Sequence, residues 1–253
     1  GAALALARLG ADIVVNDLPG DEAAAATAAL VVGLGCRATV ALADVTDPAA
    51  VDEMVRLAVA AHGRIDIAVA NAAWSDRQPL AEQEVDLMRR TIEVSQVGVM
   101  LTVRAAARQM LAQPRVEGQP GAHGKIVIMS SIMGNLVLSN KAPAYSMSKC
   151  AIAHLGRCVA SELIDARINV NVICPGWIDT EGERKWTPAK EIEEAGARMP
   201  WGRLGTPADI GSLTAFLCSD AADYITGSVL DCDGGYSVST RLDIAKKTMN
   251  LDG

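Results

Sequence analysis

With 253 residues, half of them apolar, the chain is long enough to bury a substantial core and suits one large α/β domain. Its net charge of −7, with acidic and basic residues interspersed, leaves no electrostatic footprint for nucleic acid or for an anionic membrane surface, so a small-molecule partner is expected. The six cysteines and three histidines form no Cys-x-x-Cys pair and no zinc-binding set. The cysteines therefore read as buried thiols in a reducing cytoplasm, and no metal is expected.

The apolar runs "AALALARLGADIVV" and "AAAATAALVVGLGC" fall short of the roughly 18 residues that a membrane span requires. In chain order, periodicity predicts a helix over 2–9, a strand in "DIVVND", a helix over 20–35, a strand in "RATVALADV" and a helix over 48–62. There follow a strand in "DIAVANAA", a long helix over 84–112, a surface loop in "AQPRVEGQPGAHG" and a strand in "GKIVIMSS". A helix over 143–164, a strand in "INVNVICPG", a charged connection over 179–205, a helix over 207–218 and a strand in "GSVLDCDGG" complete the series. Short apolar strands alternating with helical crossovers predict a doubly wound α/β fold, a parallel sheet covered on both faces. The reading is one domain over 1–253, with a short tail over 241–253.

Ligands of such sheets bind beyond the carboxyl ends of the strands. Those ends carry Asp17, Asp44 with Val45, Asn71 with Ala72 and Ala73, Ser130 with Ser131, and Pro175 with Gly176. An acidic residue at the position of Asp17 accepts hydrogen bonds from an adenosine ribose and repels a 2′-phosphate, which favours NAD over NADP. Standing alone, Asp17 would also suit a turn before "LPGD".

Tyr145 and Lys149 lie four residues apart in a predicted helix and so share one face. Bringing a phenol from a pKa of about 10 to about 7 takes roughly 4 kcal/mol of phenolate stabilisation. A lysine ammonium in a partly dry cleft supplies much of that, making the tyrosine a general acid or base. Ser131, at the neighbouring strand end, would hold the substrate oxygen. By itself, Tyr-x-x-x-Lys is more often a helix start with a snorkelling lysine.

The motif has company. Asp17, "ADV" at 43–45, "ANAA" at 70–73, "SS" at 130–131, "YSMSK" at 145–149 and "PGWIDT" at 175–180 together resemble the short-chain dehydrogenase/reductase family over nearly the whole chain. The resemblance implies a Rossmann-type domain and hydride transfer between a nicotinamide and an alcohol or ketone carbon. It implies Tyr145 as acid/base, Ser131 as the group orienting substrate, and Lys149 as the group lowering the tyrosine pKa and binding the nicotinamide ribose. Asp44 and Val45 would hold adenine, Asn71 and Ala73 would line the cofactor cleft, and Pro175, Ile178 and Thr180 would fix the nicotinamide. A homotetramer or homodimer, pairing the helices 84–112 and 143–164, is implied as well.

Four departures from the family pattern stand out. "ANAA" lacks a glycine, Ser95 occupies the place of an asparagine that props a relay water, and the loop from Ser131 to Tyr145 is one residue longer than in many relatives. The family also opens with a strand and a glycine-rich turn that carry the pyrophosphate, and this sequence contains neither. The expectation is an enzyme about twenty residues longer, whose central strand, when absent, leaves a buried groove between two others.

The connection 179–205 sits where the family has its mobile substrate lid. Its Glu181, Glu183, Arg184, Lys185 and Trp186, with Trp74, suggest a polar pocket with aromatic walls. "PGWIDTEGERKW" and "MPWGRLGTPADIG" resemble glucose 1-dehydrogenase-like members, which favours a sugar or polyol. A 3-oxoacyl carrier-protein reductase and a non-catalytic NAD-binding scaffold are the alternatives. "SMSK" also fits a Ser-x-x-Lys nucleophile pattern, but its companion Ser-Asp-Asn and Lys-Thr-Gly segments are absent.

Overall fold

A computed structural model describes residues 1–116, 118, 121–138, 142–185 and 187–239. Trp186 and the expected tail over 241–253 lie outside the described residues. The elements run α1 (Ala2–Ala7), β1 (Ile13–Asp17), α2 (Ala23–Gly33), β2 (Ala38–Leu42), α3 (Pro48–His62), β3 (Ile67–Ala70), α4 (Val85–Ile92) and α5 (Val99–Ala112). They continue with β4 (Gly124–Met129), α6 (Pro143–Leu163), β5 (Ile168–Pro175), α7 (Glu181–Arg184), α8 (Ala189–Arg198), α9 (Pro207–Cys218) and β6 (Val229–Cys232).

All strand pairs are parallel, as the alternation predicts. They form two pieces, β1-β2 and β3-β4-β5-β6. Between β1 and β3 lies a cavity of about 910 Å³, lined on one side by Ile13, Val14 and Val15 and on the other by Ile67, Ala68 and Val69. This is the groove expected at the centre of the doubly wound order, and its apolar walls are strand edges that pair with nothing else among the described residues. β4 is buried at every position and β5 at all but its last, because helices cover both of their faces. On one face Val99, Val103 and Met110 of α5 and Ile152 and Leu163 of α6 pack on Ile126, Ile128, Val170 and Val172. On the other, Leu217 of α9 packs with Val127, Met129 and Ile173.

Local chemistry sets the element ends. Asp47 caps α3 through the Ala49 amide, with Pro48 at the first helical position. Thr206 and Asp209 form a capping box on α9. The helix predicted over 84–112 is interrupted by a π-helical segment, Glu93–Gly98. The connection 179–205 contains α7 and α8, which its charge had hidden. Ile192 and Ala195 of α8 are buried, and Ile192 packs with Met199 and Leu204, a spacing that reads as one apolar face once the glutamates are set aside.

The cysteines correct the sequence reading. Cys174 is buried, but Cys150 and Cys158 on α6 are exposed, because only one face of that helix meets the sheet. Among the described residues no helix is long and apolar enough to cross a membrane.

Gly156 of α6 sits so close to β5 that an added Cβ would run into the Val172 side chain. Gly156→Ala should therefore destabilise by about 1–3 kcal/mol through overpacking, against a helix-propensity gain of up to about 1 kcal/mol. Gly33→Ala, where an added Cβ meets open space, should leave the melting temperature unchanged or raise it. Thermal unfolding of the two variants checks the opposite signs.

Candidate active site

The carboxyl end of β4 runs directly into Ser130 and Ser131. The Ser131 side chain caps a single 3₁₀ turn, Ile132–Gly134, by accepting from the Met133 amide at 3.2 Å. That turn packs against the first half of α6, where a Cβ on Gly134 would come within 2.8 Å of the Cys150 nitrogen and 2.9 Å of the Lys149 carbonyl carbon. Glycine here lets the serine end of β4 press onto the helix that bears Tyr145 and Lys149. Ser130 Oγ donates to the Lys149 carbonyl at 2.7 Å, whereas Ser131 acts on the Tyr145 hydroxyl, pulling its pKa down. The two adjacent serines are thereby separated: one holds the backbone of α6 and the other meets the phenol.

Lys149 is 1 % exposed. Its Nζ donates to the Met129 carbonyl at 2.7 Å and lies 5.4 Å from the centre of the Tyr145 ring. Burial depresses the Lys149 pKa to about 8, with the Cys174 thiol acting weakly in the other direction. Burial in turn pushes the Cys174 thiol up to about 11, so this cysteine is a poor nucleophile beside the site. Burial also raises the Tyr145 hydroxyl above its usual value, against downward pulls from the Ser131 hydrogen bond and the Arg77 charge. That direction is opposite to the lowering expected from the lysine. Desolvation of the phenolate outweighs the downward pulls of Ser131 and Arg77.

Most of the adenosine-side residues predicted from the sequence come together. Asp17, Asp44, Val45, Asn71, Ala72 and Ala73 all line the 910 Å³ cavity at the carboxyl ends of β1, β2 and β3. Asp17 Oδ1 accepts from the Leu18 amide at 2.8 Å, which leaves the second carboxylate oxygen available as an acceptor. Asp44 Oδ1 accepts from the Thr46 amide and hydroxyl at 2.9 and 2.8 Å, and these bonds hold its pKa down. Val45 is fixed from behind, since a Cβ on Gly98 would fall 2.6 Å from its Cγ2. An acceptor carboxylate at the end of β1 fits the ribose of a dinucleotide. Ser131, Tyr145 and Lys149 lie outside this cavity's lining, as do Pro175, Ile178 and Thr180 on the lid side.

Ile178 forms a β-bridge with Gly205, closing the two ends of the lid segment on one another. The Thr180 side chain caps α7 through the Glu183 amide. Ser95, in the π-helical segment, is fully buried; its Oγ accepts from the Trp74 amide at 2.9 Å and donates to the Trp74 carbonyl at 2.6 Å. Its one hydroxyl proton is engaged in anchoring the loop after β3, so it is not directed at Lys149. Sequence reasoning missed Arg77, which reaches from that loop to Glu183 of α7 with N–O distances of 2.7 and 3.4 Å. The only hint in the sequence was a cation three residues after Trp74.

Comparison with known proteins agrees with this geometry. A family model described as enoyl-(acyl carrier protein) reductase, of the short-chain alcohol dehydrogenase type, matches residues 1–237. The chain is 37 % identical over 240 residues to cis-4-hydroxycyclohexanecarboxylate dehydrogenase of Sinomonas cyclohexanicum, covering 94 % of this chain and 92 % of that protein. It is 35 % identical over 239 residues to L-rhamnose 1-dehydrogenase (NAD(P)(+)) of Sphingomonas sp. strain SKA58, covering 94 % and 91 %. The crystal structure of 3-oxoacyl-[acyl-carrier protein] reductase from Brucella melitensis in complex with NAD superposes with a TM-score of 0.85 at 26 % identity, covering 94 % and 92 % of the two chains. The fold, the strand-end residues and these relatives together identify the chain as a short-chain dehydrogenase/reductase, an NAD(P)-dependent oxidoreductase.

Proposed function

We propose that this enzyme interconverts a secondary alcohol and a ketone on a small polar substrate, a sugar, polyol or ring alcohol, with NAD as the preferred cofactor. The observation that carries the reading is the buried Lys149, its Nζ on the Met129 carbonyl and 5.4 Å from the Tyr145 ring, at the β4 end that runs into Ser131. A bound nicotinamide would supply the hydride acceptor for the carbinol carbon in oxidation and the hydride donor for the carbonyl in reduction. Tyr145 takes the hydroxyl proton in oxidation and gives it back in reduction, and Ser131 holds the substrate oxygen in line. Lys149 keeps a positive charge beside the phenol and, together with Asp44, Val45, Asn71, Ala73, Pro175, Ile178 and Thr180, would hold the dinucleotide. Asp17 supports NAD over NADP, because an acceptor carboxylate there opposes a 2′-phosphate.

The relatives named above act on a ring alcohol acid and on a sugar, which supports the substrate class. A reductase acting on acyl chains carried by a protein is the second reading, favoured by the likeness to the Brucella melitensis structure. We also propose a single cytoplasmic domain over 1–253, with its lid over 179–205. It would work as a homotetramer or homodimer paired through the segments 84–112 and 143–164, where Met100, Leu111, Met147 and Ile164 lie exposed.

Tyr145→Phe should lower kcat by about 10²–10⁴-fold with NAD binding unchanged, measured by NADH formation and by calorimetry. A variant that keeps its turnover would remove Tyr145 from the reaction. For Lys149 the sign runs through burial. Its folded pKa of about 8 lies below the unfolded value of about 10.4, so between those pH values the unfolded chain binds more protons and stability rises with pH. Lys149→Met should erase that rise: relative to the variant, wild type should gain stability as pH climbs from about 8 to about 10.4. Denaturant unfolding at a series of pH values checks it, and a constant difference would contradict the burial of the ammonium.

A further inference from the structure

Arg77 and Glu183 join the loop after β3 to the lid across 106 residues of sequence. The pair is asymmetric: the Glu183 side chain is 14 % exposed and that of Arg77 is 49 % exposed. Glu183 Oε1 accepts from the Thr187 hydroxyl at 2.9 Å and lies 3.4 Å from Arg77 Nη1, while Oε2 accepts from Arg77 Nη2 at 2.7 Å. Glu183 is held below its usual pKa despite its burial, by Arg77, Thr187 and Trp177. A carboxylate has about four acceptor sites, so little capacity remains on Glu183 for an incoming molecule. Arg77 has five N–H donors in a fixed fork and gives two nitrogens to Glu183. The neighbouring acid, Asp76, is buried and turned into its own loop, where its Oδ2 accepts from Gln83 Nε2 at 3.2 Å. It therefore does not compete for Arg77. The loop bearing Arg77 follows the carboxyl end of β3 and α7 follows that of β5, the two strands that flank β4, so the pair bridges segments on either side of the strand end that leads into Ser131.

What this pair offers a substrate is thus a half-exposed guanidinium with spare donors, its carboxylate partner being already engaged. A neutral hydroxyl can use one such donor. A carboxylate can use two in parallel, and charge-assisted bonds of that kind are about twice as strong as neutral ones. We propose that Arg77 is a specificity residue that selects substrates bearing a carboxylate at the end away from the reacting carbinol. The enzyme would then act on hydroxy acids, whether cyclic or sugar-derived, ahead of neutral alcohols of the same shape. This inference rests on the dehydrogenase reading given above.

The test uses two ligands that have no hydroxyl to oxidise, cyclohexanecarboxylate and its carboxamide, titrated by calorimetry into the NAD-saturated protein. Wild type should bind the acid at least about tenfold more tightly than the amide, a difference of about 1.4 kcal/mol. Arg77→Met should bring the ratio close to one, and Arg77→Lys should keep part of it, with NAD affinity unchanged in both. Equal affinity for acid and amide in wild type, a ratio untouched by Arg77→Met, or binding of neither ligand overturns the proposal while the dehydrogenase reading stands. A wild-type protein that does not bind NAD takes down both.

Discussion

Lys149 holds an ammonium almost wholly out of water, and its bond to the Met129 carbonyl ties α6 to the end of β4. Burying a charge in this way is unfavourable, as its depressed pKa records, and the arrangement persists because the surrounding packing fixes it. Ser130 bonds the Lys149 carbonyl, Gly134 lets the 3₁₀ turn close on the helix, and Ile152 and Val172 fill the space beneath. Tyr145 is positioned by the same helix, one turn earlier, where Ser131 reaches it. The site is therefore a by-product of how one strand end meets one helix, and a change that loosens α6 from β4 displaces all three groups together.

β4 and β5 are buried along their lengths and carry the reacting end, whereas β1 and β2 form a separate pair across the 910 Å³ cavity. Asp17, Asp44, Val45, Asn71 and Ala73 line that cavity, and Ser131, Tyr145 and Lys149 lie outside its lining. The π-helical segment that leads into α5 presses on Val45 through Gly98. The same segment fixes Trp74 through Ser95.

Much of this was legible in the chain. α3 and α9 have the predicted bounds because their caps are written locally, as Asp47-Pro48 and Thr206-Pro207 with Asp209. Strand ends and the Tyr145–Lys149 spacing are likewise short-range facts. The lid helices were not legible, because four acidic and basic residues around Ile192 mask a narrow apolar face. Arg77 was not legible either: its partner lies in a distant segment, and nothing near it in sequence marks it. The net direction of the Tyr145 shift is not written in the spacing, which gives neighbours on a helix and says nothing of desolvation. Burial, a property of the whole fold, decides that sign.

The central claim is that Tyr145 carries the proton. Ultraviolet difference titration of the tyrosines, with Tyr145→Phe to assign the signal, measures its ionisation directly. The account predicts that Tyr145 ionises above the ordinary tyrosine value in the free protein, and that adding NAD lowers it as the positively charged nicotinamide enters beside the phenol. A Tyr145 that titrates at the ordinary value and does not respond to NAD would contradict the account.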